Sequence, residues 1–259
     1  MIYIERTEVP LDKAPLVLFD NILLDGTVTA TTSATDAPVA NLLTDSTFDF
    51  WKPTTTSGTV SLSLGVAATA SALGISGHDL GTQGATVVVK RGLTTLATIN
   101  PTDDSTIIIL FASGSDTAYS VEISGATAAP YISNLFLGVP LVFESGIIPS
   151  YTPLWMAEEV ELLMNESLGG QFFQNRVIRK SANTAVNLNI LDRSFIEGAT
   201  FQSFRRHYND GRTFFFAAGP SNFEDDGSFC RRSGDTLKPT FANDGIFYQV
   251  GMQLEAYIG

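Results

Sequence analysis

The stretch TVSLSLG, residues 59–65, alternates Val60, Leu62 and Leu64 with small polar side chains. A period of two puts the apolar residues on one face of an extended chain, which predicts a half-buried strand. Working outward, ATVVVKRG (85–92) is a β-branched run that ends at glycine. STIIILFA (105–112) is a longer apolar run, too short and too β-branched to favour a helix. AYSVEIS (118–124) alternates again, and ISNLFLG (132–138) closes the series. ATASALGISGHDLG (70–81) reads as a strand followed by a loop. Gly, Asn, Asp and Pro separate these runs at intervals of about ten to fifteen residues, which predicts a β-sandwich or jelly roll.

The composition narrows the functional classes. The chain has 259 residues, 44% hydrophobic and only 16% charged, which argues for a folded core and against disorder. The formal net charge of −12 argues against a nucleic-acid backbone or an anionic membrane as main partner. The single cysteine, Cys230, has no internal disulfide partner, and with two histidines a structural zinc site is disfavoured. No apolar stretch approaches the length of a membrane span, so no membrane insertion is expected. The start, MIYIERTEVPLDKAP, alternates apolar and charged residues unlike a signal peptide, which predicts a cytoplasmic product.

The charge is uneven. Residues 1–140 hold 5 Lys and Arg against 13 Asp and Glu, whereas residues 141–259 hold 10 against 14. Most of the Phe and Arg fall in the second part. Gly138, Pro140, Gly146, Pro149 and Pro153 punctuate the change, so the expected division is an arm at 1–14, a β unit at 15–140 and a second unit at 141–259. In the second unit, WMAEEVELLMNES (155–167) fits a helix or a strand, GGQFFQNRVIRKS (169–181) is bounded by a Gly-Gly pair, and ANTAVNLNILD (182–192) is strand-like. Phe195, Ala199, Phe201, Phe204 and Tyr208 recur at three- and four-residue steps and predict a helix near 193–210. Asp192 is placed to cap its start, Asn209-Asp210-Gly211 to end it, and Gly198 weakens its middle. RTFFFAAGP (212–220) reads as a buried strand, and GIFYQVGMQLEAYIG (245–259) as a strand pair or one long strand.

Several of these pieces, in order, resemble the galactose-binding-like (discoidin-type) jelly roll found in many phage structural proteins. They are Asn41-Leu42-Leu43-Thr44-Asp45, Phe50-Trp51-Lys52-Pro53, the strand at 60–64, the segment at 72–81 and the closing strand at 132–138. The Gly169-Gly170 turn, the Leu191-Asp192-Arg193 lead into a helix and the Phe214-Phe215-Phe216 strand are similar to the phage tail-tube fold. That resemblance implies one helix packed on a β-sandwich that builds rings. The expected fold is therefore mainly β, a jelly roll followed by a β-sandwich with one packed helix. Distal tail proteins usually carry the ring unit first, an order that looks reversed in this chain.

Chemistry is sparse. His78 lies beside Asp79 in SGHDLG, and the plainer reading is a loop histidine that bonds backbone groups. Arg205, Arg206 and His207 fall where cations complement helix C-terminal carbonyls. Arg231 and Arg232 follow Cys230 and would lower a thiol pKa, but an inert thiol is the simpler reading. Glu158, Glu159 and Glu161, and likewise Glu224, Asp225 and Asp226, are clustered in sequence, unlike a glycosidase pair, and read as solvated charges. Galactose-binding-like domains often hold a calcium near their first turn. Asp45 is the one metal candidate on that ground, with fixing the turn as its alternative role. Trp51 reads as core, with stacking on a sugar as the alternative. No nucleotide-binding, hydrolase or metalloprotease motif occurs.

Two functions follow as expectations. The first is a non-enzymatic virion protein of a phage tail tip or baseplate, without cofactor and assembled in the host cytoplasm. Its second unit would form a trimeric or hexameric ring beside tail-tube, hub or tape-measure proteins. Arg193, Arg205, Arg206 and Arg212 would supply pairs between copies. The second is a module that recognises a host surface glycan, for which exposed aromatics on the loops of residues 15–140 would speak; those loops are poor in them.

Overall fold

The computed structural model describes residues 1–5, 14–148, 151–242 and 245–258. The chain is mainly β, as the alternation predicts. The first sheet holds β1 (Ile2–Glu5), β3 (Thr27–Ala30), β4 (Gly58–His78), β5 (Thr86–Arg91), β6 (Thr94–Ile99), β7 (Ile107–Ser124) and β8 (Ile132–Gly138). Two of these strands are very long. The stretches 59–65 and 70–78 form one strand, β4, and 107–112 and 118–124 form another, β7. Register shifts between Ser63 and Ala68, and between Ala70 and Ala72, bend the pair. Before the bend β4 runs between β3 and β7; after it, between β8 and β7. β7 likewise carries β5 on its C-terminal part and β1, in parallel, on its N-terminal part. Each long strand thus serves both layers of a jelly roll. Val60 and Leu62 from one layer meet Leu73, Ile75, Ile107 and Ile109 from the other in a single core.

The second sheet runs β10 (Glu158–Leu163), β11 (Arg176–Leu191), β15 (Tyr248–Ala256), β13 (Gly227–Arg232), β12 (Phe214–Ala217), β2 (Leu16–Leu18) and β9 (Leu141–Val142). β14 (Thr240–Phe241) pairs with β15. Residues 155–167 therefore supply a strand and not a helix, and the final stretch is one long strand. The division expected at residue 15 also shifts. Leu16–Leu18 pairs with both β12 and β9, so the jelly roll is inserted between two adjacent strands of the second sheet. Of the expected arm at 1–14, Ile2–Glu5 is a strand against β7, and residues 6–13 lie outside the described residues.

The expected helix near 193–210 is broken. Gly198 has φ −62° and ψ 140°, an extended conformation that separates α1 (Arg193–Glu197) from α2 (Ala199–Asn209). Asp192 makes no side-chain capping bond; Gly198 stands at the cap of α2. Gly211, at φ +75°, follows the helix end as expected. Phe201, Phe204 and Tyr208 turn one face of α2 onto the second sheet, and Phe204 meets Phe214 edge-on at 5.5 Å.

The other face of that sheet packs on the jelly roll. Leu16, Leu18, Phe215, Ala217 and Phe229 meet Ile108, Leu110, Ala72 and Phe136 in a third core. Val17, Phe214 and Phe216, one residue out of phase, point to the helix. Runs such as IIIL and FFFA are continuous because both of their faces are buried. A Cβ on Gly74 would stand 2.9 Å from the Phe215 ring, so β4 and β12 approach at a position only glycine allows. Phe215→Ala is expected to lower unfolding stability by about 3–5 kcal/mol, and Gly74→Val to lose the cooperative transition altogether, both read by denaturant titration.

One backbone position is strained. Ile190 has φ +59°, where a β-branched side chain is disfavoured, at the bulge that turns both Leu188 and Leu191 into the core. Its own side chain is exposed. Ile190→Asn is expected to raise stability by about 1 kcal/mol, seen as a higher melting temperature.

Candidate functional site

Where the two units meet at one end, they leave a cleft of about 540 Å³. The jelly roll contributes the end of β4, the loop before β7 with Asp104, and Tyr131 just before β8. The second unit contributes Trp155 and Glu158 on either side of the start of β10, Asp225 before β13, and Tyr257 after β15. Trp155 is 64% exposed and Tyr257 37%.

Trp155 is held from behind by a buried carboxylate. Asp226 is 1% exposed, in contrast to the solvated charge expected for its run; Glu224 and Asp225 are exposed. Tyr151 donates its hydroxyl to one Asp226 oxygen (2.7 Å), and the Leu154 amide donates to the other (2.8 Å). Burial pushes the Asp226 carboxyl and the Tyr151 phenol upward. These two bonds pin the short 3₁₀ turn Leu154–Met156 that carries Trp155. Sequence spacing gave no sign of this, because the partners are over seventy residues apart.

His78 bonds backbone groups, as the plainer reading has it, but from the last position of β4 and not from a loop. The Leu80 amide donates to Nδ1 (3.3 Å), so Nε2 carries the proton and donates to the Ser105 carbonyl (2.9 Å). With both ring nitrogens engaged, His78 is a neutral strut behind the cleft. Burial is the main cause that holds its pKa below the ordinary 6.5. Cys230 is buried, and burial pushes its thiol pKa upward, the opposite of a reactive cysteine. Trp51 is fully buried and donates its indole N–H to the Thr32 carbonyl (3.2 Å), the core reading.

Asp45 does not fix the turn. Asn41 donates to the Phe50 carbonyl (2.9 Å), and Asn134 reaches in from β8 to the carbonyls of Thr44 and Ser46. Asp45 instead faces Arg212 at 3.5 Å, a half-exposed bridge between the units worth at most about 1 kcal/mol. Among the described residues, no group of three or more His, Cys, Asp or Glu is placed to hold a metal. The other arginines are also engaged within the chain. Arg193 pairs with Glu197 (2.8 Å), Arg205 donates to the Leu237 carbonyl (3.2 Å), and Arg206 donates to Ser203 (3.1 Å). Arg206 and His207 lie in the last turn of α2 as expected, but His207 donates to the Thr213 carbonyl (2.7 Å) beyond the helix and not to a helix-end carbonyl.

A second feature begins at the rim of the cleft, where β10 starts at Glu158. β10 and the outer part of β11 form a hairpin that continues past the end of β15, whose pairing with β11 stops at Ala182. Residues 158–180 are exposed throughout except for the half-buried Ser167. Leu162, Met164, Leu168, Phe172, Phe173 and Ile178 are among its apolar side chains, with Phe172 85% exposed.

No protein-family model and no curated protein matches the chain. Solved structures similar to it include carbohydrate-binding modules. A chitosan-binding module of a chitosanase/glucanase from Paenibacillus sp. IK-5 is 15% identical, covering 45% of this chain and 96% of that one at a TM-score of 0.39. The family 32 module of Clostridium perfringens NanJ, in complex with galactose, is 13% identical, covering 48% and 98% at 0.39. A Ruminococcus gnavus fucosidase in complex with fucose is 13% identical, covering 47% and 27% at 0.39. Each likeness spans less than half of this chain at a TM-score below 0.5.

The two histidines set a pH dependence. Burial depresses the folded-state pKa of both His78 and His207 below 6.5. As pH falls through 6.5 the unfolded chain takes up protons that the folded chain refuses, so stability is full above that value and declines below it. Denaturant midpoints measured between pH 7.5 and 5 are expected to fall, and to fall less steeply in a variant with both histidines replaced by glutamine.

Proposed function

We propose that the chain is a non-enzymatic structural protein of the tail tip or baseplate of a tailed phage. In this reading the second unit packs against copies of itself as a ring of three or six, and the jelly roll decorates the outside. The observation that carries it is the projecting hairpin. A two-stranded hairpin in water is marginal by itself, and this one presents apolar side chains along nearly its whole length. Both edges of its outer part are free of strand partners among the described residues, so a neighbour can extend it by backbone pairing while covering its side chains. A head-to-tail contact of this kind closes into a ring when the rotation between copies allows. Neighbouring tail-tube, hub or tape-measure proteins are the further partners of this reading, and its place is the virion, after assembly in the host cytoplasm.

The inter-unit cleft favours a second reading, recognition of a host surface glycan, because Tyr131, Trp155 and Tyr257 converge there with carboxylates. The two readings are compatible in one protein.

Light scattering behind a sizing column tests the first. The expected mass is three or six times the 27.8 kDa of one chain. Leu168→Asp with Phe172→Asp is expected to yield a monomer with an unchanged circular dichroism spectrum, since neither side chain belongs to a core. A monomer at every concentration of the unaltered chain would refute the ring.

A further inference from the structure

We infer that the inter-unit cleft is a saccharide site selective for sugars without carboxylate groups, with Trp155 and Tyr257 as its stacking surfaces. The inference rests on the glycan reading and gives it a place and a ligand class. The volume of about 540 Å³ falls within the roughly 300–1,000 Å³ of small-ligand sites.

Carboxylates outnumber cations around the lining. Asp104, Glu158 and Asp225 are all in it; Glu158 pairs with Lys180 (2.8 Å) and Asp104 accepts from Thr82 (2.9 Å), while no Lys or Arg is itself in the lining. Ionised carboxylates only accept hydrogen bonds, so they favour a ligand that brings donors. His78, with both nitrogens committed, has no donor to spare. Trp155 and Tyr257 bring flat apolar faces to the opening, and Tyr257 is held close over β4, with Cε1 3.8 Å from the position of a Cβ on Gly77. A pyranose matches both demands. One face of its ring presents C–H groups to an aromatic surface, and its rim presents hydroxyl donors. An amino sugar adds a cation that both the carboxylates and the aromatic faces attract. A uronic or sialic acid places a like charge against Asp104 and Asp225, which no lining cation offsets, and is disfavoured.

Both units build this surface. Asp104 and Tyr131 come from the jelly roll, Trp155, Glu158, Asp225 and Tyr257 from the second unit, so neither alone presents the site.

The chain's two tryptophans provide the assay, because Trp51 is fully buried and Trp155 is exposed. Acrylamide quenching of the intact chain reports on Trp155, and Trp155→Phe is expected to remove the quenchable component. Lactose or a glucosamine trimer at millimolar concentration is expected to cut that quenching at least twofold, and a galacturonic acid trimer to leave it unchanged. Trp155→Ala and Asp225→Asn are expected to weaken calorimetric affinity at least tenfold without moving the melting temperature. Calorimetric binding with Trp155 still quenched, and unaffected by Trp155→Ala, would place the glycan elsewhere and overturn this site while sparing the glycan reading. Absence of binding by all three saccharides would overturn both. Equal protection by the galacturonic acid trimer would overturn the selectivity.

Discussion

The missing side chain at Gly74 lets the Phe215 ring rest on β4, and the joining of the two units depends on that approach. Around it, one layer of the jelly roll is apolar on both sides. Ile107 and Ile109 face inward while Ile108 and Leu110 face the second sheet. The second sheet repeats the device with Phe214 and Phe216 toward the helix and Phe215 toward the jelly roll. The result is four stacked layers: outer jelly-roll strands, inner jelly-roll strands, the second sheet and α2. Burying a Phe or Ile stabilises by about 1.5–3 kcal/mol, so an interface built from such residues behaves as a core and not as a loose contact between domains.

How much of this was legible follows from the range of the signals. Alternation at 59–65 and 118–124 is local, and it marks strands correctly. The continuous runs at 107–110 and 214–216 show that two faces are buried, but nothing local says against what, because Phe215 and Gly74 lie 141 residues apart in sequence. The bends in β4 and β7 broke the alternation there, so each long strand read as two shorter pieces. At Leu16–Leu18, three residues were too few to reveal membership of a sheet whose other strands follow residue 140. In α2 the aromatic spacing was plain, and the break at Gly198 was foreshadowed only by the identity of the residue.

The site was the least legible part. A search for exposed aromatics confined to the loops of 15–140 meets only Tyr131 of the three, since Trp155 and Tyr257 enter from the other unit. Asp226 looked like its neighbours Glu224 and Asp225, yet its carboxylate is the buried anchor of the turn before Trp155. Arg193 and Arg206 are engaged by local helix neighbours, Glu197 and Ser203, whereas Arg212 with Asp45 and Arg205 with the Leu237 carbonyl meet only through the tertiary fold. The exposed hairpin was visible as an ambiguous apolar stretch, and only the ending of β15 at Ala256 shows that nothing in the described chain covers it.

The insertion of the jelly roll between β2 and β9 has a mechanical consequence. These strands are hydrogen-bonded to each other, Leu16 opposite Val142 and Val17 opposite Leu141. The inserted unit is thus a loop whose two feet are clamped side by side. Tension drawn along the second sheet crosses from one foot to the other through that clamp, so it bypasses the covalent path through the 122 residues between Leu18 and Leu141. Because the third core also joins its face to that sheet, the inserted unit moves with the strands that hold it.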